Sequence, residues 1–235
     1  MIARVGRSVR VPSRVRQAFG AKHLEPRIIF LALSALSLLP NVFPLLFAGN
    51  VLRLFLLRHA KSDWGNKSLD DHDRPLSPRG ITAAPRIAAY MRAQKYLPDL
   101  AKCSSSQRTR ETLEKMVPLF EPPPEIHYSR SLYLAEPKTL LSEIRQTPNS
   151  CSALFLVGHN PGIRALALAL AALREDQEEA HKERLVEKFP TACLAVLEFS
   201  VRDWREVKPL SARLVDYMRV KDLPPTLDDV EERGA

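Results

Sequence analysis

Cysteine is scarce: Cys103, Cys151 and Cys193 are the three in 235 residues, far apart, odd in number and never spaced CxxC. A disulfide scaffold and a cysteine-rich zinc site are poor readings of such a chain. No internal repeat is visible. A charge excess is missing from most of the molecule. Residues 1–27 hold seven of the 35 Lys+Arg and one of the 27 Asp+Glu, which leaves 28 basic against 26 acidic residues from position 28 onward, a net +2. The overall +8 thus belongs to the N-terminal tail, and it is weak support for nucleic-acid binding, so no nucleic-acid partner is expected.

A long clean hydrophobic run is also missing. Ile28–Gly49, IIFLALSALSLLPNVFPLLFAG, is uncharged but interrupted by Pro40, Asn41 and Pro44. A membrane-crossing helix needs about 20 apolar residues for a core of about 30 Å. Three readings of residues 1–50 stand open: an export signal or membrane anchor with contact through residues 28–48, an organelle-targeting segment that is arginine-rich and poor in acids, or an extension upstream of the true start. The body is expected in the cytoplasm under the last reading and at a membrane or in an organelle under the others.

What is present suits a globular protein. A hydrophobic share of 45% with 26% charged residues is ordinary, and the length allows one substantial domain with an appendage. Residues 51–223 are read as that domain and 224–235 as a loose acidic tail. Val51–Leu57, VLRLFLL, reads as a strand buried on both faces. Ser77-Pro78 gives a cap and first residue for a helix to about Ala93. Pro98–Cys103 reads as a short strand, followed by a helix to about Leu119 and a strand near Ile126–Tyr128. Glu136–Gln146 reads as a helix, Ser152–Val157 as a second buried strand, and Asn160-Pro161 as the cap and start of the next helix. Glu175–Glu187 reads as a solvated helix and Cys193–Phe199 as a strand, with Trp204–Pro209 as its hairpin partner. Strands alternating with helices predict a three-layer α/β sandwich on a mainly parallel central sheet.

Polar residues gather at three strand-to-helix junctions: Arg58-His59, Ser104 to Arg108, and Gly158-His159-Asn160-Pro161-Gly162. In an open parallel sheet, ligands bind outside the carboxyl ends of the strands. Arginine bonds phosphate oxygens in pairs, a helix start favours an anion, and a neutral imidazole can attack phosphorus. A lone His or Arg at a strand end is more often a structural partner, and Ser77 reads better as a cap than as a nucleophile. The case rests on the three junctions together.

Five segments, LFLLRHAKSDW (54–64), DDHDRPLSPRG (70–80), SSSQRTRET (104–112), LFLVGHNPG (154–162) and KFPTACLAVLEF (188–199), give the chain a resemblance to the histidine phosphatase superfamily. Within it the chain looks like the short SixA-type phosphohistidine phosphatases. The resemblance covers Val51 to about Leu223 and implies a phosphoglycerate-mutase-like fold. It also implies that His59 becomes transiently phosphorylated, and that Arg58, Arg108 and His159 complete a catalytic and substrate-binding pocket without cofactor or metal. Ser104-Ser105 departs from the usual Ser-Pro, and residues 1–50 lie outside the pattern. No general acid is evident; Asp63, Asp71, Asp73 and Glu136 are near the motifs but unassigned. The implied substrate is phosphohistidine on a protein, in signalling, with the enzyme expected to act as a monomer. The alternatives are a phosphatase for a small phosphoester or phosphoanhydride, and a non-catalytic phosphate-binding module.

Overall fold

The computed structural model describes residues 51–172 and 179–224. The three readings of residues 1–50, the start of the charged helix at 175–178 and most of the acidic tail lie outside them. Among the described residues no helix is long and apolar enough to cross a membrane.

Strand β1 (Leu52–Arg58) explains the architecture. Side chains of a strand alternate between faces. Leu52, Leu54 and Leu56 enter a cluster with Leu140, Ile144, Ile163 and Leu166, whereas Phe55 and Leu57 enter another with Ala84, Ile87, Met91 and Leu113. A strand apolar on both faces must be covered on both. Helices α1 (Pro78–Ala93) and α2 (Gln107–Met116) cover one face, and α3 (Pro137–Arg145), α4 (Gly162–Leu170) and α5 (Glu179–Glu187) the other. The remaining strands are β2 (Leu100–Ser104), β3 (Glu125–Ser129), β4 (Ala153–Gly158), β5 (Leu194–Phe199) and β6 (Ala212–Met218).

They form one six-stranded sheet in the order β3-β2-β4-β1-β5-β6. The β3–β2, β2–β4 and β4–β1 pairings are parallel, and β1–β5 and β5–β6 antiparallel. Only β5 therefore runs against the rest, and the expected mainly parallel α/β sandwich is the observed fold. Registers place Arg58 beside Gly158 and Cys103 beside Val157. The three polar junctions thus leave adjacent strands on one edge of the sheet.

Ser77 caps α1 as expected, its hydroxyl accepting from the Gly80 amide at 3.3 Å. The same turn docks on the segment after His59: the Lys61 carbonyl accepts from the Ser77 amide and hydroxyl at 2.9 and 3.1 Å. A Cβ on Gly80 would stand 2.1 Å from that carbonyl oxygen. Gly80→Ala is therefore expected to destabilise the fold by about 2 kcal/mol through overpacking, measured by urea unfolding; an unchanged midpoint would mean that the turn is free to move away.

Three expectations are corrected. Helix α4 begins at Gly162, not Pro161, and Asn160 does not cap it: the Asn160 amide donates to the Phe189 carbonyl at 2.8 Å. Trp204–Glu206 is a 3-10 turn, and β6 is the partner of β5. Trp204 is buried, and its indole N–H donates to the Cys151 carbonyl at 2.7 Å, a tertiary contact that no hairpin pattern announces. The charged helix is not wholly solvated, because Leu185 is fully buried on it.

Candidate active site

The main chain around His59 is pinned on every side. The His59 amide donates to the Gly158 carbonyl at 3.0 Å, and the Ala192 amide donates to the carbonyls of Arg58 and His59 at 3.0 and 3.1 Å. The Ala60 amide donates to the Thr112 hydroxyl of α2 at 3.0 Å. The ring is oriented by its own neighbour: Nδ1 lies 2.7 Å from the Ala60 carbonyl oxygen. A carbonyl only accepts, so Nδ1 carries the proton and Nε2 keeps its lone pair.

Arg58, His59, Arg108 and His159 line one cleft of about 380 Å³. The four residues singled out in the sequence are thus brought together. The two histidine rings lie 5.1 Å apart between centroids. Arg58 donates Nη1 to the Phe189 carbonyl at 3.0 Å, and its buried Nε–H has no partner among the described residues. Arg108 Nη2 lies 3.4 Å from His159 Nδ1, a loose contact in which only the guanidinium can donate. His159 Nε2 therefore bears the proton and gives it to Ser104 Oγ at 2.8 Å. Ser104, which keeps the usual serine, thus supports His159, whereas the departing residue, Ser105, places its hydroxyl 2.9 Å from His72 Nε2.

Asp71 was near the motifs but without a role, and the structure places it in the cleft. Its carboxylate Oδ2 accepts from Arg108 Nη2 at 2.8 Å and from the Tyr133 hydroxyl at 2.6 Å. Arg74 pairs with Oδ1, and Arg108 Nη1 donates to the Asp71 main-chain carbonyl. The other three acids stand elsewhere. Asp63 closes a local turn onto the Gly65 amide, Asp73 pairs with His72, and Glu136 sits at the start of α3 without capping it. Tyr133 carried no signal in the sequence. The signal for Asp71 was the charged segment 70–74 between the first strand and its helix.

Electrostatics follow from burial. Desolvation, reinforced by Arg108 and Arg58, pulls the His59 ring down to about 4, against the Ala60 carbonyl and Asp71. Desolvation, the His59 ring and Arg108 pull His159 down to about 3. Both rings are neutral at pH 7. Partial burial works against ionising Asp71, but the Tyr133 and Arg108 hydrogen bonds outweigh it and hold the carboxyl below its ordinary range.

A pH dependence follows. The folded ring of His59 binds its proton more weakly than an unfolded histidine, whose ordinary value is 6.5. Below that value the unfolded chain takes up a proton that the native state refuses. Stability is thus expected to fall as pH drops from 6.5 toward about 4. An NMR titration of the His59 ring should show a midpoint near 4; a midpoint at 6.5 would mean a solvated ring.

Comparison with known proteins identifies the family and the fold. Residues 54–129 match the model of the histidine phosphatase superfamily, branch 1. An uncharacterized protein of Mycobacterium tuberculosis is 38% identical over 161 residues, covering 68% of this chain and 98% of the relative. A structure assigned as phosphohistidine phosphatase SixA from Nakamurella multipartitia matches with a TM-score of 0.62 and 27% identity, covering 72% of this chain and 96% of that one. Another, so assigned from Agrobacterium tumefaciens, has a TM-score of 0.59 and 32% identity, covering 72% and 97%. Agreement at this identity across nearly the whole of each of these proteins covers far more of the chain than the segment that the family model spans: the chain belongs to the histidine phosphatase superfamily, SixA type, and is a phosphatase.

Proposed function

We propose that this phosphatase removes the phosphoryl group from phosphohistidine on a protein, without a metal, through a phospho-His59 intermediate. The observation that carries the proposal is the presentation of His59: a neutral ring tied by Nδ1 to the Ala60 carbonyl, with Nε2 free beside Arg58, Arg108 and His159.

In the first step the Nε2 lone pair attacks phosphorus, and the bond from phosphorus to the substrate's ring nitrogen breaks. The bonding pair passes to that nitrogen. His59 keeps its Nδ1 proton on the Ala60 carbonyl, so the phosphorylated ring is cationic. In the second step water attacks phosphorus, the bond to Nε2 breaks, and the pair returns to His59. Phosphate leaves as H2PO4⁻ with both hydrogens of the water. Arg58 and Arg108 stabilise the equatorial oxygens. A phosphoryl dianion arriving against His159 raises its proton affinity, so that Nδ1 takes up a proton from solvent and turns from acceptor into donor, and the proton returns to solvent when phosphate leaves.

Arginine and imidazole carry the transition-state charge in this scheme, so exhaustive EDTA treatment should leave the rate unchanged. Loss of activity restored by one divalent ion would overturn metal independence. The substrate is tested by comparing a phosphohistidine protein with a panel of small phosphoesters and phosphoanhydrides. A higher kcat/KM on the phosphoprotein supports the reading, and activity confined to the panel sinks it. Running the comparison on the full chain and on residues 51–235 also tests the domain division: equal activity places catalysis wholly in the fragment.

A further inference from the structure

Among the described residues lining the cleft, Asp71 is the only acid. A carboxylate in the wall of an anion-binding cleft repels the ligand, so its presence calls for a reason. Holding Arg108 is part of it, but the Asp71 main-chain carbonyl already takes one N–H of that guanidinium. General-acid duty does not fit. Tyr133 and Arg108 donate to Oδ2, and Arg74 to Oδ1, so a protonated carboxyl would turn a donor toward one of them.

Position supplies the rest. His59, Arg108 and His159 are 7%, 4% and 3% exposed, whereas the Asp71 side chain is 41% exposed. The nucleophile lies on the floor and the carboxylate toward the mouth. In-line displacement puts the leaving group opposite the attacking nitrogen, which is toward that mouth. Lys61, Trp64 and Leu134 also line the cleft, and of these Trp64 and Leu134 are exposed apolar side chains that offer no second anion there.

We propose that Asp71 sets the leaving-group selectivity of the site, favouring a group that is cationic when bound, the ring-protonated imidazole of phosphohistidine, over one that departs as an oxyanion. The inference rests on the phosphohistidine reading above. A substrate ring protonated on its far nitrogen carries positive charge until the phosphorus–nitrogen bond breaks. The bonding pair then neutralises it, the proton stays where it was, and neutral imidazole departs. No proton has to be delivered. An alcohol leaves with growing negative charge beside the carboxylate, and among the described residues no second carboxyl lines the cleft to give it a proton. The charge thus discriminates by repulsion as well as attraction.

The test uses the full chain, a histidine peptide phosphorylated with phosphoramidate, and phenyl phosphate. Asp71→Asn keeps an oxygen acceptor for Arg108 and Tyr133 but removes the charge. The ratio of kcat/KM for the peptide to kcat/KM for phenyl phosphate should fall at least tenfold. An equal loss on both substrates would reduce Asp71 to a support of Arg108 and overturn the proposal, as would an unchanged ratio. Asp71→Ser removes the same charge with a smaller polar group, so the ratio can be read if the Asn variant fails to fold. Wild-type protein that hydrolyses phenyl phosphate but not the peptide would instead overturn the phosphohistidine reading, and the selectivity claim with it, before any substitution is made.

Discussion

Replacing His59 with alanine should lower turnover by at least about 10⁴-fold, the scale on which removing a nucleophile acts, while leaving the fold intact. Every contact that positions the residue through its main chain survives the substitution: the amide on Gly158, the carbonyl under Ala192, and the neighbouring Ala60 amide on Thr112. What disappears is the ring that turns Nε2 to the cleft. Arg58, Arg108 and the neutral His159 remain, so the variant should still bind inorganic phosphate. A rate loss with phosphate binding retained separates a lost nucleophile from a collapsed pocket. Wild-type protein quenched during turnover should carry acid-labile phosphate, and the variant none. A variant that turns over at the wild-type rate would eliminate the covalent route.

The pocket and its scaffold were legible in the sequence to different depths, for physical reasons. β1 could be read because burial on both faces demands an unbroken apolar run, and a parallel arrangement follows once helices alternate with such runs. Parallel strands then put their carboxyl ends on one edge, which is why Arg58, His59, Arg108 and His159 could be grouped before any distance was known. β6 escaped because it is an edge strand whose apolar residues are broken by Arg213 and Asp216; Trp204 drew the hairpin to itself although it is held by Cys151 across the fold. Asn160 followed the residue preference for a cap but was captured by the Phe189 carbonyl, a contact 29 residues away in sequence. Asp71 and Tyr133 meet over a separation of 62 residues, and nothing local in either segment encodes the meeting. Residue type and spacing report what a strand end can do; long-range hydrogen bonds decide which neighbours join it.

Arg108 should tolerate neither alanine nor lysine, and alanine less well than lysine. The side chain is 4% exposed and does several things at once. One Nη2 hydrogen meets the Asp71 carboxylate at 2.8 Å, Nη1 meets the Asp71 carbonyl, and Nη2 also reaches toward His159 at 3.4 Å. These bonds fix the plane of the fork, and its remaining hydrogens are left for phosphoryl oxygens. A lysine ammonium keeps the charge that opposes the growing transition-state anion, but its donors diverge from a point and cannot serve Asp71 and two phosphoryl oxygens in one plane. Alanine removes the charge and also strips Asp71 of its most buried partner, leaving a carboxylate next to an incoming dianion. The expected penalty for Arg108→Ala is about 3 kcal/mol in kcat/KM, on the order of a hundredfold, with Arg108→Lys between it and the wild type. Part of that loss comes from repulsion by the released carboxylate, so adding Asp71→Asn to Arg108→Ala should recover some of the rate on phenyl phosphate, whose leaving group gains nothing from the Asp71 charge. Equal rates for wild type, Lys and Ala would place Arg108 outside the reacting centre; on phenyl phosphate, a double variant worse than Arg108→Ala alone would show that the released carboxylate does not repel the incoming dianion.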